Sequence, residues 1–324
     1  SGGIKALESV QFSLVTHRGC FGGCAFCSLA IHQGKFIQSR SIDSLVKEAE
    51  AFTRHPDFKG SIPDVGAPSA NMYGMKSRNH NKCQTCNRIS CLYPNVCSNL
   101  HTDHTPSIKL WKRLRSINQI KHIRVASGIR YDLLLKDTSG QYLHDLCKYH
   151  VGGQLKIAPE HISPAVTSLM TKSGIKEYLQ FMTAFKQVNK KLKKEQYLIP
   201  YFISAHPGST LDESVELAEF LRDHFQYYPE QVQNFTPTPM TISTSMYHTG
   251  INPLNNQEVY VPRETWERKA QRALLQYRNP KNKALVREAL EKAKRTDLIG
   301  SSGIALIKDN NFISPASKTT PGRD

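Results

Sequence analysis

Short apolar runs alternate with amphipathic stretches along most of the chain. Residues 10–16, 61–65, 122–126, 154–158, 197–204 and 231–236 read as strands. Between them, apolar positions recur at helical spacing. Residues 41–52 carry Ile42, Leu45, Val46, Ala49 and Phe52 on one face, with Ser41 as the cap. Further helices are expected over 107–116, 141–150, 176–191 and 210–225. In the last of these, Thr210 and Glu213 form a capping box, and Leu211, Val215, Ala218 and Leu221 make the apolar stripe. Six strand–helix units in alternation predict an α/β fold on a parallel sheet. Six strands close only partly, so the expected core over residues 1–250 is a partial parallel (β/α)6 barrel.

Two segments break the rhythm. Residues 66–106 read as a long, cysteine-rich loop inserted after the second strand. Beyond about residue 250 two charged helices are expected, over 264–277 and 282–294, within a basic helical extension spanning 251–300. Residues 301–324, rich in Ser, Thr, Pro and Lys, read as a flexible tail.

Composition narrows the classes. The 324 residues carry 43 Lys and Arg against 27 Asp and Glu, a formal charge of +16. That balance suits a polyanionic partner such as RNA, and equally a merely soluble basic surface. Arg263, Arg268, Lys269, Arg272, Arg278, Lys281, Lys283 and Arg287 gather on the carboxyl-terminal helices, without any RNA-binding motif beside them. No apolar run reaches the length of a membrane span, and no signal peptide is visible. Eight cysteines outside a secretory context point to metal binding and to a reducing cytoplasm.

The cysteines fall into two groups and a singleton. Cys20, Cys24 and Cys27 form a CxxxCxxC array just after the first strand, flanked by Gly19, Gly22 and Gly23. Three thiolates can hold three irons of a [4Fe–4S] cluster and leave the fourth iron open, while the glycines let the backbone bend around a bulky core. A zinc site completed by His17 or His32 is the alternative. Cys83, Cys86, Cys91 and Cys97 fit CxxCx4Cx5C inside the loop insertion. Four cysteines without an open position suit an auxiliary [4Fe–4S] cluster or zinc, with His101 or His104 able to replace one thiolate. Cys147 stands alone in a helical stretch and reads as a small core filler.

Sites in parallel α/β folds lie at the carboxyl ends of strands. Each predicted strand here ends on a distinctive segment: the cysteine loop, Asp64-Val65-Gly66-Ala67-Pro68, Ser127-Gly128-Ile129-Arg130, Ala158-Pro159-Glu160-His161, Ala205-His206-Pro207-Gly208 and Pro237-Thr238-Pro239.

These segments carry a resemblance. RGCFGGCAFC is similar to the signature of radical S-adenosylmethionine (SAM) enzymes. The order THRGCFGGCAFC, PDVGAPSANMY, VASGIRYD, LKIAPEH, QYLIPYFISAHPG and VQNFTPTP resembles the radical SAM core of the YgiQ family, from residue 5 to about residue 300. Members of that family are longer and carry an amino-terminal extension missing here. The resemblance implies a radical SAM barrel, a [4Fe–4S] cluster on Cys20, Cys24 and Cys27, SAM, and a cellular one-electron reductant. It implies a reductive cleavage of SAM to a 5′-deoxyadenosyl radical that takes hydrogen from a substrate the family does not identify.

Roles follow residue by residue. Phe26 matches the aromatic position beside the SAM adenine. Gly66, Ala67 and Pro68 stand where related enzymes have Gly-Gly-Glu, so here the contact to the SAM amine falls to backbone carbonyls. Glu160 matches a carboxylate for the SAM ribose or amine; an ion pair with Lys156 or Lys172 is the competing reading. Arg130 and Arg40 are each candidates for the SAM carboxylate or for a structural ion pair. His206 is a candidate to line the substrate cavity or a structural corner. Two other classes stay open: a zinc-stabilised module binding nucleic acid or protein, and an electron-transfer protein with two clusters.

Overall fold

The computed structural model describes residues 4–225, 229 and 232–309. The fold is α/β, and its main strands are parallel. Leu14–Val15 pairs with Val65–Gly66, and Ser61–Ile62 pairs with His122–Ile123. A single bridge, Ile129 to Ile157, leads on to Gln154–Glu160. That strand pairs with Tyr197–Ser204, which pairs with Val232–Asn234. Spatial order therefore follows chain order through all six predicted strands. The ladders are short, and among the described residues none joins the last strand to the first. The sheet is open and made of small pieces, where the sequence predicted a more continuous partial barrel.

Local chemistry explains the interruptions. The second strand splits around Pro63, which has no N–H to give a ladder, and Asp64, whose carboxylate accepts from Ala126 N at 2.8 Å and Ser127 N at 3.1 Å. The first strand begins only at Leu14, because residues 10–13 make turns: Val10 N reaches Leu7 O at 3.0 Å and Ser13 N reaches Val10 O at 2.9 Å. Residues 141–150 are helical as predicted, passing from α-helix Gln141–Asp145 into one π-turn, Leu146–His150.

Helices cover one side of the strands. Ile42–Thr53 starts at the Ser41 cap and buries Leu45, Val46 and Ala49. Ile175–Leu192 buries Tyr178, Phe181 and Phe185. Leu211–His224 carries the predicted capping box and buries Val215, Ala218 and Leu221. Leu155, Ile157, Leu198 and Phe202 meet these helices from the sheet. The basic helices Thr265–Leu275 and Lys283–Lys292 add Ala270, Leu274, Val286 and Leu290 to the same core. Leu306 and Ile307, at the head of the segment read as a tail, are buried too, while residues 310–324 lie outside the described residues. No helix among the described residues is long and apolar enough to cross a membrane.

The loop insertion has structure of its own. Lys76–Ser77 pairs antiparallel with Leu100–His101. Met72, Met75, Leu92 and Leu100 form a separate small core with Phe21 and Leu133.

Candidate functional site

The first cysteine loop is a closed hairpin on the rim. His17–Arg18 pairs antiparallel with Gln38–Ser39, and Cys20 N donates to Gly34 O at 3.1 Å. Gly19 sits at φ +90, with Phe36 O only 2.1 Å from where a Cβ would stand, so only glycine fits. The loop is held down by Thr171 Oγ1, which donates to Gly23 O at 2.7 Å, by Ala25 N to Met170 O at 3.0 Å and by Ser243 N to Ala25 O at 2.9 Å.

The sulfurs face donors. Gly22 N donates to Cys20 Sγ at 3.3 Å, and Arg130 Nη1 to Cys24 Sγ at 3.3 Å. A Cβ on Gly22 would stand 3.2 Å from Cys20 Sγ and 3.5 Å from Cys24 Sγ, so the glycine leaves these groups a shared space. Burial pushes the Cys20 thiol up to about 11 and raises Cys27 as well, with the neighbouring Cys24 adding to both. Thiolates are the metal-binding form, so loading here releases protons. Among the described residues no three Cys, His, Asp or Glu side chains converge on one ion-sized position. N–H donors aimed at the sulfurs suit thiolates that carry charge. His17, the suggested fourth zinc ligand, is buried with Nδ1 2.9 Å from Thr16 Oγ1.

Four buried charges stand behind the loop. Arg130 binds Asp132 through two N–H bonds, Nε to Oδ1 at 3.0 Å and Nη2 to Oδ2. Burial opposes both charges, yet the pairing wins: Arg130 is held well above its usual range and Asp132 below its own. Arg130 is thus committed to Asp132 and Cys24, not held open for a ligand carboxylate. Asn71 fixes its backbone, accepting from Arg130 N at 2.8 Å and donating to Arg130 O at 2.9 Å. Glu160 is buried, at φ +69, a left-handed conformation rare for a side-chain-bearing residue and typical of strained sites. Lys172 Nζ lies 3.6 Å from its carboxylate and 2.6 Å from Ala158 O. Burial raises the Glu160 pKa against the opposing pull of Lys172 and Arg130.

The remaining candidates divide. Phe26 is half-buried against Val166, Met170, Ile203 and Phe235, edge-on to His206 at 6.2 Å. Gly66 is buried in the ladder, and its carbonyl accepts from Thr16 N at 2.9 Å; Ala67 and Pro68 follow it, half-buried. His206 is fully buried: its ring bridges Pro207 O and Ser243 Oγ, both at 2.7 Å, and burial lowers its pKa to about 4. Arg40 is engaged by Glu48 at 2.5 Å and Ser44 Oγ at 2.9 Å. Asp132 and Asn71 escaped the sequence reading, which had offered Lys172 as a partner of Glu160. Only the position of Asp132, two residues after Arg130, offered a signal.

The second cysteine group lies against the first loop. Cys91 N donates to Phe21 O at 3.0 Å, and Ser90 Oγ donates to Gly22 O. Cys20, Cys91 and Cys97 pack on the same small core. Cys97 N donates to Cys91 O at 2.8 Å, and Asn99 Nδ2 lies 3.2 Å from Cys83 Sγ, while Cys86 is exposed. His104 packs tilted against Tyr142 at 4.5 Å, with burial lowering its pKa to about 4. Cys147 is a buried core residue, as read from sequence. Gly23, at φ +55, has Ile89 O 2.2 Å from where a Cβ would stand. A Gly23→Ala variant should therefore lose about 1–3 kcal/mol of stability in a denaturant titration, whereas Gly128→Ala, with nothing within 4 Å, should stay within about 0.5–1 kcal/mol of the parent. Equal stability of the two variants would mean the loops are not in contact.

Comparison with known proteins extends this picture. A family described as a domain of unknown function (DUF3362) matches residues 230–320. A UPF0313 protein of Methanocella arvoryzae is 51% identical over 320 residues, 99% of this chain and 52% of that protein. One from Methanosarcina acetivorans is 53% identical over 305 residues, covering 94% of this chain and 41% of that protein. One from Clostridium botulinum is 47% identical over 309 residues, 95% and 48% of the respective chains. The chain thus spans about half the length of the curated relatives it matches. Among solved structures, the radical S-adenosylmethionine methyltransferase TsrM of Kitasatospora setae aligns with a TM-score of 0.42 at 12% identity, over 74% of this chain and 39% of that one. Across the part of those relatives that it spans, the chain belongs to the UPF0313 family, which is the YgiQ family.

Proposed function

We propose that this chain is the radical SAM core of its family's proteins, a partial barrel of the radical SAM type with the cofactors on the rim. The observation that carries the reading is the Cys20–Cys24–Cys27 hairpin, pinned to the carboxyl ends of parallel strands with N–H donors facing Cys20 and Cys24. Cys20, Cys24 and Cys27 hold the cluster, and Gly22 and Arg130 stabilise the charge of the bound sulfurs. A [4Fe–4S] cluster with one open iron supplies the electron that cleaves SAM to a 5′-deoxyadenosyl radical. Phe26 packs beside the adenine, the 66–68 backbone meets the SAM amine, and Glu160, fixed by Lys172, accepts from the ribose or amine. The second group, Cys83, Cys86, Cys91 and Cys97, holds an auxiliary [4Fe–4S] cluster or zinc.

The test is anaerobic reconstitution with iron and sulfide, reduction, addition of SAM, and assay of 5′-deoxyadenosine with a metal count. Deoxyadenosine with about eight irons per chain is expected. Zinc without deoxyadenosine would replace this reading with a zinc-stabilised binding module. Two clusters without SAM binding would replace it with an electron-transfer protein.

A further inference from the structure

The face of the parallel strands turned away from the helices encloses a cavity of about 750 Å3, within the range of small-ligand sites. Strand alternation builds it. Leu155 and Ile157 point into the core, while Gln154 and Lys156 line the cavity; Leu198 and Phe202 point into the core, while Tyr197, Ile199 and Tyr201 line it. Arg124 completes the wall from the neighbouring strand.

The charge of this wall is one-sided. Arg124 and Lys156 line the cavity, and among the described residues no Asp or Glu does. Neither cation makes a hydrogen bond or ion pair to another described residue. Arg124 is half-buried all the same. Its guanidinium lies against Gly152, where a Cβ would stand 3.2 Å from both Cζ and Nε. Beyond His150, which also lines the cavity, stands a further cation: Arg115 Nη1 meets His150 Nε2 at 2.7 Å. Glu195, two residues before the lining Tyr197, is held by the Tyr197 hydroxyl, and Asp64 accepts from the N–H of the lining Ala126 at 2.8 Å. A guanidinium drawn partly out of water gains from an anionic partner, and among the described residues none bonds this one.

We infer that the cavity binds a small organic anion with a flat apolar body. Its carboxylate or phosphate bonds Arg124 and Lys156, and its body lies on Tyr197, Ile199 and Tyr201. Lys156 precedes Glu160 on the same strand, and the ladder to Tyr197–Ser204 shifts register between Ile157 and Glu160. Taking the anion as the substrate rests on the radical SAM reading; its binding does not.

The experiment titrates the protein, without SAM or reductant, with 1-naphthyl phosphate, 1-naphthoate and neutral 1-naphthol, followed by naphthyl fluorescence. At least one anion should bind about tenfold tighter than naphthol, a difference of about 1.4 kcal/mol. Tighter phosphate identifies a phosphate ester as the ligand class, and tighter carboxylate a carboxylic acid. Arg124→Gln and Lys156→Gln should each erode the anion preference while leaving naphthol binding unchanged. Gly152→Ala, which crowds the guanidinium, should do the same. Lys156 is exposed, so its variant keeps the fold even if an Arg124 variant does not. Equal binding of all three probes, no binding of either anion, or an anion preference that survives Lys156→Gln overturns the inference. Failure of the deoxyadenosine assay alone leaves it standing.

Discussion

An Asp132→Ala protein should lose about 3–5 kcal/mol of stability, because it leaves a buried guanidinium without its counter-charge. Arg130 is 8% exposed and Asp132 5%. Their twofold hydrogen bond satisfies Nε and Nη2, and Cys24 Sγ takes Nη1. Removal of the carboxylate strands the charge, whereas removal of both partners does not. An Asp132→Leu, Arg130→Met double variant should therefore recover most of the loss. Urea titrations of the three proteins decide the matter, and a single variant within about 1 kcal/mol of the parent would show that the pair is solvated. The pH dependence has a definite sign. The folded pKa of Asp132 is lowered from 3.8, so its contribution is complete above that value and disappears as the pH falls below it.

Cys20→Ala should reduce 5′-deoxyadenosine release to that of the enzyme-free control and remove about four irons per chain. The second group should keep its metal, since its ligands lie at Cys83, Cys86, Cys91 and Cys97. Cys20 is not a stability element in the way Asp132 is: its sulfur receives one N–H, from Gly22. Iron counts, visible absorption and the deoxyadenosine assay on the same preparation separate loss of cluster from loss of fold. Full deoxyadenosine release by the variant would remove this loop from the active site.

Most of the fold was legible because it is periodic. The Ser41 and Thr210 caps, the apolar stripes behind them and the strand–helix alternation are local patterns, and the structure keeps them. Strand length was less legible. Residues 10–13 are apolar enough for a strand, yet Val10 is exposed and its backbone bonds go to Leu7 and Ser13 within turns. Pairing is a long-range property that composition does not carry. The site divides in the same way. Cysteine spacing is readable along the chain, and so is the glycine at position 19. The partners of Arg130 are not. A guanidinium near the end of a strand looks alike whether it awaits a ligand or grips Asp132, and His206 looks alike whether it faces a cavity or is locked between Pro207 and Ser243. Only three-dimensional neighbours distinguish these cases.

The sequential strand order has a bearing on how the molecule comes into being. Each strand lies next to the one made just before it, so each unit can dock on its predecessor during synthesis, with little loop-closure entropy to overcome. Growth is uneven, however. Gln154–Glu160 and Tyr197–Ser204 share a ladder of five paired positions, while the step from the third strand to the fourth rests on the single bridge between Ile129 and Ile157. That step is a seam. The strands alone do not close it: the first cysteine loop reaches across, with Gly23 O accepting from Thr171 and Ala25 bonded to Met170 and Ser243, so the loop that carries Cys20, Cys24 and Cys27 also fastens the two halves of the sheet together.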